Sequence, residues 1–254
     1  MKQLTVAGCR IPVGMDIAAN VTAIMSAIDW AHDNHVDIMV TPECALTGYM
    51  WNPENREDPR IQLLSDSLMQ IQEYSLLKGV DLVLGTACYN ARGEWANMQA
   101  FIVDGHCVDH YEKQVLFGQE RFVYTAGHRL TVLDYKQFKI AGLICNDLWS
   151  NPILWPGESA LLLQELSRRK VDIVVVSANI PPSNEQHELF YTWTDTCIRM
   201  CSLTGDWNTV ISDQTHNAAQ AVGPVGPVGI VDRNGEWQVK GDHYAVDYFK
   251  FTVS

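Results

Sequence analysis

The sequence predicts an α/β fold with a mixed β-sheet, and three observations support this prediction. A short apolar phrase containing Val-Asp recurs along the chain, at HVDIMV (35–40), GVDLVLG (79–85) and KVDIVVV (170–176). Each copy follows a segment with apolar residues at helical spacing, over 16–34, 60–77 and 158–169. The phrases lack polar alternation, which is typical of strands that are buried on both faces and covered by helices.

The three predicted helices are amphipathic. The first begins after Asp16, a favoured N-cap residue. Its apolar stripe consists of Ile17, Val21, Ile24, Met25 and Ile28. The stripes of the second and third helices consist of Ile61, Leu64, Leu68 and Ile71, and of Leu162, Leu163 and Leu166. Stripes of this kind bury one face of each helix against the sheet.

The middle of the chain predicts antiparallel strands, which is why we expect the sheet to be mixed. The segment 98–111 resembles two strands around a turn at Asp104–Gly105, and 131–145 resembles two more around Tyr135–Lys136. Later, the Asn234–Gly235 pair predicts a hairpin that is followed by a last strand around 248–253.

The chain is expected to form a single domain over residues 1–254. No linker rich in Pro, Gly and Ser divides the 254 residues. The one biased stretch, VGPVGPVG (222–229), is too short and too apolar for a flexible tether. We therefore expect a rigid loop there, which enters a strand.

Composition and charge exclude several classes of partner. The formal net charge of -12 and the scattered basic residues argue against nucleic-acid binding. No segment approaches the ~18 apolar residues of a membrane span, and the start of the chain lacks a secretory signal, so we expect a cytoplasmic protein that does not bind membranes. The seven cysteines, at irregular spacing, indicate reduced thiols rather than a disulfide framework.

Three predicted strands end on a side chain that can take part in chemistry: Glu43, Lys113 and Cys145. Each one alone is more often surface or core, so the hypothesis depends on all three together. Ligands bind beyond the carboxyl ends of strands in α/β sheets, where these side chains would converge. A thiol with a reference pKa of about 8.5 needs a base and a nearby cation to react at neutral pH. Glu43 and Lys113 would supply them.

Three segments resemble the signature segments of the nitrilase superfamily of carbon-nitrogen hydrolases, which carry a Glu, a Lys and a Cys in that order. They are TPECALTGY (41–49), YEKQVLFGQERF (111–122) and GLICNDLW (142–149). The resemblance covers nearly the whole chain. It implies a four-layer α-β-β-α sandwich with mixed sheets, and assembly into homodimers or higher homo-oligomers.

The resemblance also implies a role for each site residue. Glu43 would be the general base, and Cys145 the nucleophile that forms a thioester. Lys113 would stabilise the oxyanion, and Glu120 would orient Lys113 and the substrate amide. The backbone N–H of Asn146 would complete the oxyanion hole, where losing one donor typically costs ~10²–10³ in rate.

The residues after the cysteine indicate the substrate class. The Cys-Asn-Asp triplet resembles the amidase and carbamoylase branches, in which the Asp is structural and caps a loop. Carbamoylases that hold a substrate carboxylate have two arginines next, whereas this chain has Leu148 and Trp149. Trp149 instead suggests an apolar or aromatic wall. Tyr49, Trp149 and Asn179 are the predicted substrate contacts, although each could equally be a packing residue.

The predicted activity is hydrolysis of a linear amide or N-carbamoyl amine, with release of ammonia. Two alternatives remain open: nitrile hydrolysis by the same residues, and a non-catalytic binding or regulatory protein with this fold. The chemistry requires no metal and no organic cofactor, and the chain has no Gly-rich phosphate loop in a strand-to-helix context.

Other cysteines offer competing hypotheses. Cys44 adjoins Glu43, but consecutive side chains on a strand point to opposite faces, so we expect Cys44 to point away from the site. Cys197 and Cys201 lie four apart on a predicted helix, a spacing that could place two ligands on one metal ion. No further ligand motif accompanies them, so we expect packing. None of the eight histidines lies in a segment that resembles a protease signature.

Overall fold

The structure is a computed structural model, which describes residues 2–149, 158–180, 187–215 and 226–254. The strands are β1 (Leu4–Ile11), β2 (Ile38–Val40), β3 (Asp81–Tyr89), β4 (Trp95–Val103), β5 (His106–Glu112), β6 (Val132–Tyr135), β7 (Phe138–Ile144), β8 (Ile173–Ser177), β9 (Asn208–Gln214), β10 (Gly229–Val231), β11 (Trp237–Lys240) and β12 (Asp247–Val253). The helices are α1 (Ile17–Asp33), α2 (Pro59–Lys78), α3 (Asn146–Trp149), α4 (Glu158–Arg168) and α5 (His187–Gly205), with a 3₁₀ helix at Gly118–Phe122.

The strands form a mixed sheet that folds back on itself as two halves. One path of hydrogen-bonded neighbours runs β5-β4-β3-β2-β1-β9-β8-β7-β6, with β12 beside β1 and with β10 and β11 beyond β9. The halves join where Arg10 and Ile11 of β1 pair with Asp213 and Gln214 of β9. Elsewhere they face each other, so that β4 contacts β7 and β2 contacts β8.

Helices cover the outer face of each half. Ile28 of α1 and Ile71 of α2 pack with β1 and β3 in one core cluster. Leu166 of α4 and Ile198 of α5 pack with the second half in the other cluster. The result is a nearly closed α-β-β-α arrangement, which confirms the predicted four-layer sandwich with mixed sheets.

The aspartates of the recurring Val-Asp phrase explain why it recurs. Asp37 and Asp172 directly precede the parallel strands β2 and β8, and Asp81 is the first residue of the parallel strand β3. Each accepts a backbone N–H from an adjacent strand or turn, from Thr5 at 2.8 Å, Asp104 at 2.9 Å and Lys139 at 2.8 Å respectively. The carboxylates thereby satisfy donors at the end of the sheet opposite the strand ends that carry Lys113 and Cys145.

The predicted helices and hairpins are present, with one shift. The Asp16 side chain accepts from the first turn of α1, as its N-cap role requires. The β6–β7 turn lies at Lys136–Gln137, one residue later than predicted. Both residues have positive φ, 44° and 71°, as a two-residue hairpin turn demands, and Tyr135 stays paired with Phe138.

Two further predictions concern the loop before β10 and the absence of a membrane-spanning helix. Of the predicted rigid loop 222–229, residues 222–225 lie outside the described residues, and the remainder enters β10 at Gly229. Within the described ranges, no helix combines the length and the apolar character needed to cross a bilayer.

Candidate active site

Glu43, Lys113 and Cys145 come from three strands whose carboxyl ends meet. Lys113 directly follows β5 and Cys145 directly follows β7. Glu43 lies in a turn beyond β2, which ends at Val40, so the strand is shorter than the sequence suggested. The Glu43 N–H donates to the carbonyl of Ala178, just after β8, at 3.0 Å. This bond attaches the turn of one half of the sheet to a strand end of the other.

Lys113 lies between two carboxylates, and all three side chains are completely buried. Its Nζ lies 2.7 Å from Glu43 Oε1 and 2.7 Å from Glu120 Oε1. Glu120 is also held by the Tyr49 hydroxyl, which donates to Oε1 at 2.7 Å, and by the Phe117 N–H, which donates to Oε2 at 2.6 Å. The structure therefore brings together the predicted base, the predicted cation and the predicted orienting residue.

The two oxygens of Glu43 have different surroundings. Oε1 accepts from Lys113 and from Asn97 Nδ2, each at 2.7 Å, whereas Oε2 is buried and has no hydrogen-bond partner among the described residues. Burial raises the pKa of Glu43 from 4.5 to about 7, against the lowering effect of Lys113 and with a further rise from Glu120. Glu43 can therefore exchange a proton at neutral pH.

Lys113 and Cys145 hold their protons in the resting site. Burial by itself lowers the pKa of Lys113, but Glu43, Cys145 and Glu120 outweigh it and raise that pKa well above its ordinary value. Burial raises the pKa of the Cys145 thiol well above its ordinary range, Glu43 adds to this rise, and Lys113 opposes it. The cysteine is therefore a thiol at rest, so its attack on a substrate requires a proton acceptor such as Glu43.

Cys145 lies on a sharp turn between β7 and α3. Its φ is 49°, in the left-handed region that non-glycine residues seldom adopt. Its N–H donates to the carbonyl of Ser177 at the end of β8, at 2.8 Å. Asn146 follows as the first residue of α3, with its side chain donating to the carbonyl of Val115 at 3.3 Å. Its role in the oxyanion hole stays a prediction.

Asp147 ties the segment after Lys113 to the turn that carries Cys145. Its Oδ1 accepts from the N–H groups of Gln114 and Val115, at 3.1 and 2.7 Å. Its Oδ2 accepts from the N–H of Ile144 at 3.0 Å and from the Tyr111 hydroxyl at 2.9 Å. Burial raises its pKa to about 6, although Lys113 and these donors oppose the rise. This is the loop-capping role expected from the sequence.

Residues 3–242 match the carbon-nitrogen hydrolase family. The chain belongs to this family. The match confirms the resemblance to the nitrilase superfamily, and it covers all three signature segments.

Curated relatives of this carbon-nitrogen hydrolase are much longer proteins. The glutamine-dependent NAD(+) synthetase of Thermotoga maritima is 28% identical over 180 residues, which cover 66% of this chain and 30% of that protein. The enzyme of the same name from Synechocystis is 26% identical over 187 residues, 68% of this chain and 33% of that protein. The hydrolase thus spans about a third of the length of the curated relatives it matches.

Solved structures share the fold of the hydrolase over almost its full length. An amidase from Nesterenkonia AN1, of the nitrilase superfamily, aligns with a TM-score of 0.80 and 14% identity, covering 98% of this chain and 90% of that one. The glutamine-dependent NAD+ synthetase from Acinetobacter baumannii aligns with a TM-score of 0.79 and 20% identity, covering 100% of this chain and 46% of that one. At these identities the likeness shows the fold alone.

The three predicted substrate contacts of the hydrolase all have protein partners in the structure. Besides Tyr49, which donates to Glu120, Asn179 is buried, and its Nδ2 donates to the Glu43 carbonyl at 3.4 Å. Trp149 is 4% exposed and packs in the core, where its carbonyl accepts from Trp193 Nε1 at 2.9 Å. Their contact with substrate stays a prediction.

The remaining cysteines do not join the candidate site. Cys44 is not on a strand, because it lies in the turn after β2 with a φ of 52°. The alternation of side chains along a strand therefore does not apply to Cys44. Its buried thiol contacts the Tyr124 hydroxyl at 3.6 Å. Cys197 and Cys201 pack against the core. Among the described residues, no cluster of three or more His, Cys, Asp or Glu side chains could hold a metal ion.

Sequence reasoning missed Asn97, the buried donor to Glu43. The signal was present in β4, WANMQAFIV, where Asn97 and Gln99 interrupt an otherwise apolar strand at alternate positions. Two polar residues on one face of a buried strand indicate specific hydrogen-bond partners inside the fold.

Gly85 of β3 is expected to be required for the position of Glu43. A Cβ on Gly85 would lie 1.9 Å from the carbonyl oxygen of Pro42. We expect Gly85→Ala to displace the turn that carries Glu43 and to reduce activity. Overpacking should also lower the free energy of unfolding by about 1–3 kcal/mol. Urea denaturation measures this loss of stability. Gly14→Ala is the matched control, because the added Cβ meets nothing nearer than 3.9 Å; equal effects in both variants would contradict the prediction.

Proposed function

We propose that this carbon-nitrogen hydrolase cleaves a linear amide or an N-carbamoyl amine through a cysteinyl thioester and releases ammonia. The observation that carries the proposal is the buried cluster of Glu43, Lys113 and Glu120, in which one oxygen of Glu43 has no hydrogen-bond partner among the described residues. Cys145 is electrostatically coupled to Glu43 and Lys113. The base and the cation thus lie out of water, whereas the thiol on which they would act is partly exposed.

The acylation step begins with proton transfer from Cys145 Sγ to Glu43 Oε2. The sulfur then attacks the amide carbon, and the C=O π electrons move to the oxygen. Lys113 Nζ and the N–H of Asn146 would stabilise this oxyanion. When the tetrahedral intermediate collapses, the C–N bond breaks and Glu43 returns the proton to the departing nitrogen, which leaves as ammonia.

The deacylation step uses the same groups with water. Glu43 takes a proton from water, the oxygen attacks the thioester carbon, and Lys113 again faces the oxyanion. Breaking the C–S bond releases the acid, and the sulfur regains the proton from Glu43. Lys113 keeps its charge throughout, because the two carboxylates raise its pKa.

The comparisons support an amide as the substrate class. In the Nesterenkonia amidase, a mutant shows covalent addition of the acetamide moiety of fluoroacetamide at the active site cysteine. Another mutant of that amidase is in complex with acrylamide. Short aliphatic amides are therefore the first substrates to test with this hydrolase.

Glutamine is a second candidate substrate, because the curated relatives are glutamine-dependent NAD(+) synthetases. Its side chain ends in a linear amide, so the same chemistry applies. Against it, Leu148 and Trp149 replace the arginine pair that would hold a carboxylate.

The test is ammonia release by the purified wild-type protein from acetamide, propionamide, acrylamide, glutamine, N-carbamoyl amino acids and aliphatic nitriles. Activity on the amides or carbamoyl compounds supports the proposal, and activity on nitriles alone supports nitrile hydrolysis. No release from any compound, together with equal slow alkylation of all seven cysteines, would favour a non-catalytic binding protein.

We expect kcat/KM to rise with pH, with a midpoint near the pKa of about 7 that burial gives Glu43. The base accepts a proton only when it is ionised, so activity is lost as the pH falls through that value. Glu43 and Cys145 titrate as a coupled unit, so the midpoint belongs to the pair. Initial rates across a constant-ionic-strength buffer series measure it. A midpoint near 4.5 would contradict the role of the buried carboxylate.

We also propose a single domain over 1–254, a homodimer or higher homo-oligomer, and a cytoplasmic location. Light scattering should give a mass of at least twice the 28.6 kDa of one chain. One cooperative urea transition tests the single domain, and cell fractionation tests the location.

A further inference from the structure

The hydrogen bonds on Glu43 are divided unequally between its two oxygens. Lys113 Nζ and Asn97 Nδ2 both donate to Oε1, each at 2.7 Å. Oε2 accepts no hydrogen bond from the described residues, although it is buried. Two donors occupy the favourable acceptor directions of Oε1, so Oε2 is the oxygen left to take a proton.

Asn97 lies near the start of β4, where it pairs with Ala87 of β3 and is 1% exposed. Its carbonyl accepts the backbone N–H of Lys113 at 2.9 Å. The same residue therefore holds the lysine through its main chain and the glutamate through its side chain. These contacts set the position of Lys113 and Glu43 relative to each other.

The side-chain amide of Asn97 donates to Glu43 through Nδ2, and this orientation leaves its Oδ1 without a hydrogen-bond partner among the described residues. An ionised carboxylate only accepts hydrogen bonds, so the amide must present Nδ2 to Glu43. Its Oδ1 is then buried without a hydrogen-bond partner among the described residues. Buried polar atoms of this kind are rare in proteins and destabilise the fold. An apolar residue would avoid this cost, which indicates that the donor to Glu43 has a function.

We propose that Asn97 is a positioning residue that reserves Glu43 Oε2 for the proton of Cys145 and, later, for the proton of water. The proposal rests on the proposed function of Glu43 as the base. Without Asn97, the terminal torsion of the carboxylate, which is intrinsically broad, is held by Lys113 alone. The lost donor also removes an interaction that favours the ionised form, so burial raises the pKa of Glu43 further.

The test compares Asn97→Leu and Asn97→Ser with Met98→Leu, a control on the opposite face of β4. Two readouts are followed against pH: kcat/KM for the best amide, and the rate at which iodoacetamide labels Cys145, measured by peptide mass spectrometry. We expect both Asn97 variants to move the acid limb upward by about one pH unit, as the loss of a hydrogen bond to a charged group predicts. At pH 7, which lies at the wild-type midpoint, kcat/KM should fall about fivefold, while Met98→Leu keeps that midpoint.

Unchanged midpoints in the Asn97 variants would overturn the proposal, even if both variants were less active, because a purely structural role lowers amplitude without moving the titration. Asn97→Ser keeps the test available if the leucine variant does not fold. Failure of the proposed function is seen separately, either as no ammonia from wild type or as undiminished activity in Cys145→Ala. The labelling readout needs no substrate, so the two failures are distinguishable.

Discussion

Cys145→Ala is expected to abolish amide hydrolysis while leaving the fold intact. Removing the nucleophile of a comparable catalytic unit lowers kcat by about 10⁶-fold. Alanine and cysteine tolerate the positive φ of 49° equally poorly, so the turn is no more strained in the variant than in the wild type. Ammonia release gives the activity, and thermal unfolding confirms the fold.

Cys44→Ala is the matched control for this prediction. Both cysteines adjoin site residues and both have positive φ, but the Cys44 thiol contacts Tyr124 rather than the Lys113 cluster. We expect it to retain activity within a small factor. Undiminished hydrolysis by Cys145→Ala, or an equal loss in both variants, would contradict the assignment of the nucleophile.

Lys113→Met is expected to damage both activity and stability. It removes the proposed donor to the oxyanion, and the loss of one such donor typically costs about 10²–10³ in rate. It also leaves the buried carboxylates of Glu43 and Glu120 without their shared cation. Breaking a buried ion pair by removing one partner typically lowers the free energy of unfolding by about 3–5 kcal/mol.

The loss of stability in Lys113→Met should depend on pH. Without the cation, the main effect that opposes burial is lost, so the pKa of Glu43 rises further above its value in the unfolded chain. Such a group binds protons more tightly in the folded state, so the destabilisation grows as pH rises and shrinks as pH falls. Urea denaturation at pH 5.5 and at pH 8 should therefore show the larger loss at pH 8.

Lys136→Met is the control for stability, because Lys136 is half-exposed and its ion pair with Asp37 is solvated. We expect a much smaller change there, with little dependence on pH. A loss in Lys113→Met that is independent of pH would show that the buried carboxylates are compensated by other groups.

The sequence predicted the candidate site well where the signal is local. Lys113 and Cys145 each follow directly after a buried strand, and Glu120 lies in the segment after Lys113. The position of a residue this close to a strand end is set by the strand itself. Prediction failed where several backbone conformations were compatible with the same residues. The end of β2 at Val40 is one case, and the turn at Lys136–Gln137 is the other.

Sequence patterns could not predict the contacts between the two halves of the sheet. The hydroxyl of Ser177, at the end of β8, donates to the carbonyl of Thr41, just after β2, at 2.7 Å. The partners lie far apart in sequence, and many residues of similar polarity could satisfy the same donors. Periodicity reports which face of a strand is buried, but it does not report what lies opposite.

The sequence by itself determined the α/β class, the order of strands and helices, the candidate site residues after the strand ends and the family to which the chain belongs. These features depend on local periodicity and on motifs that are contiguous in the chain. Only the tertiary structure decided that Lys113 lies between two buried carboxylates, that Asn97 shares one oxygen of Glu43 with it, and that Asp147 joins two loops. The reason is physical: burial and distance set the pKa values and the hydrogen-bond partners of these groups, and both arise only when segments that are distant in sequence pack together.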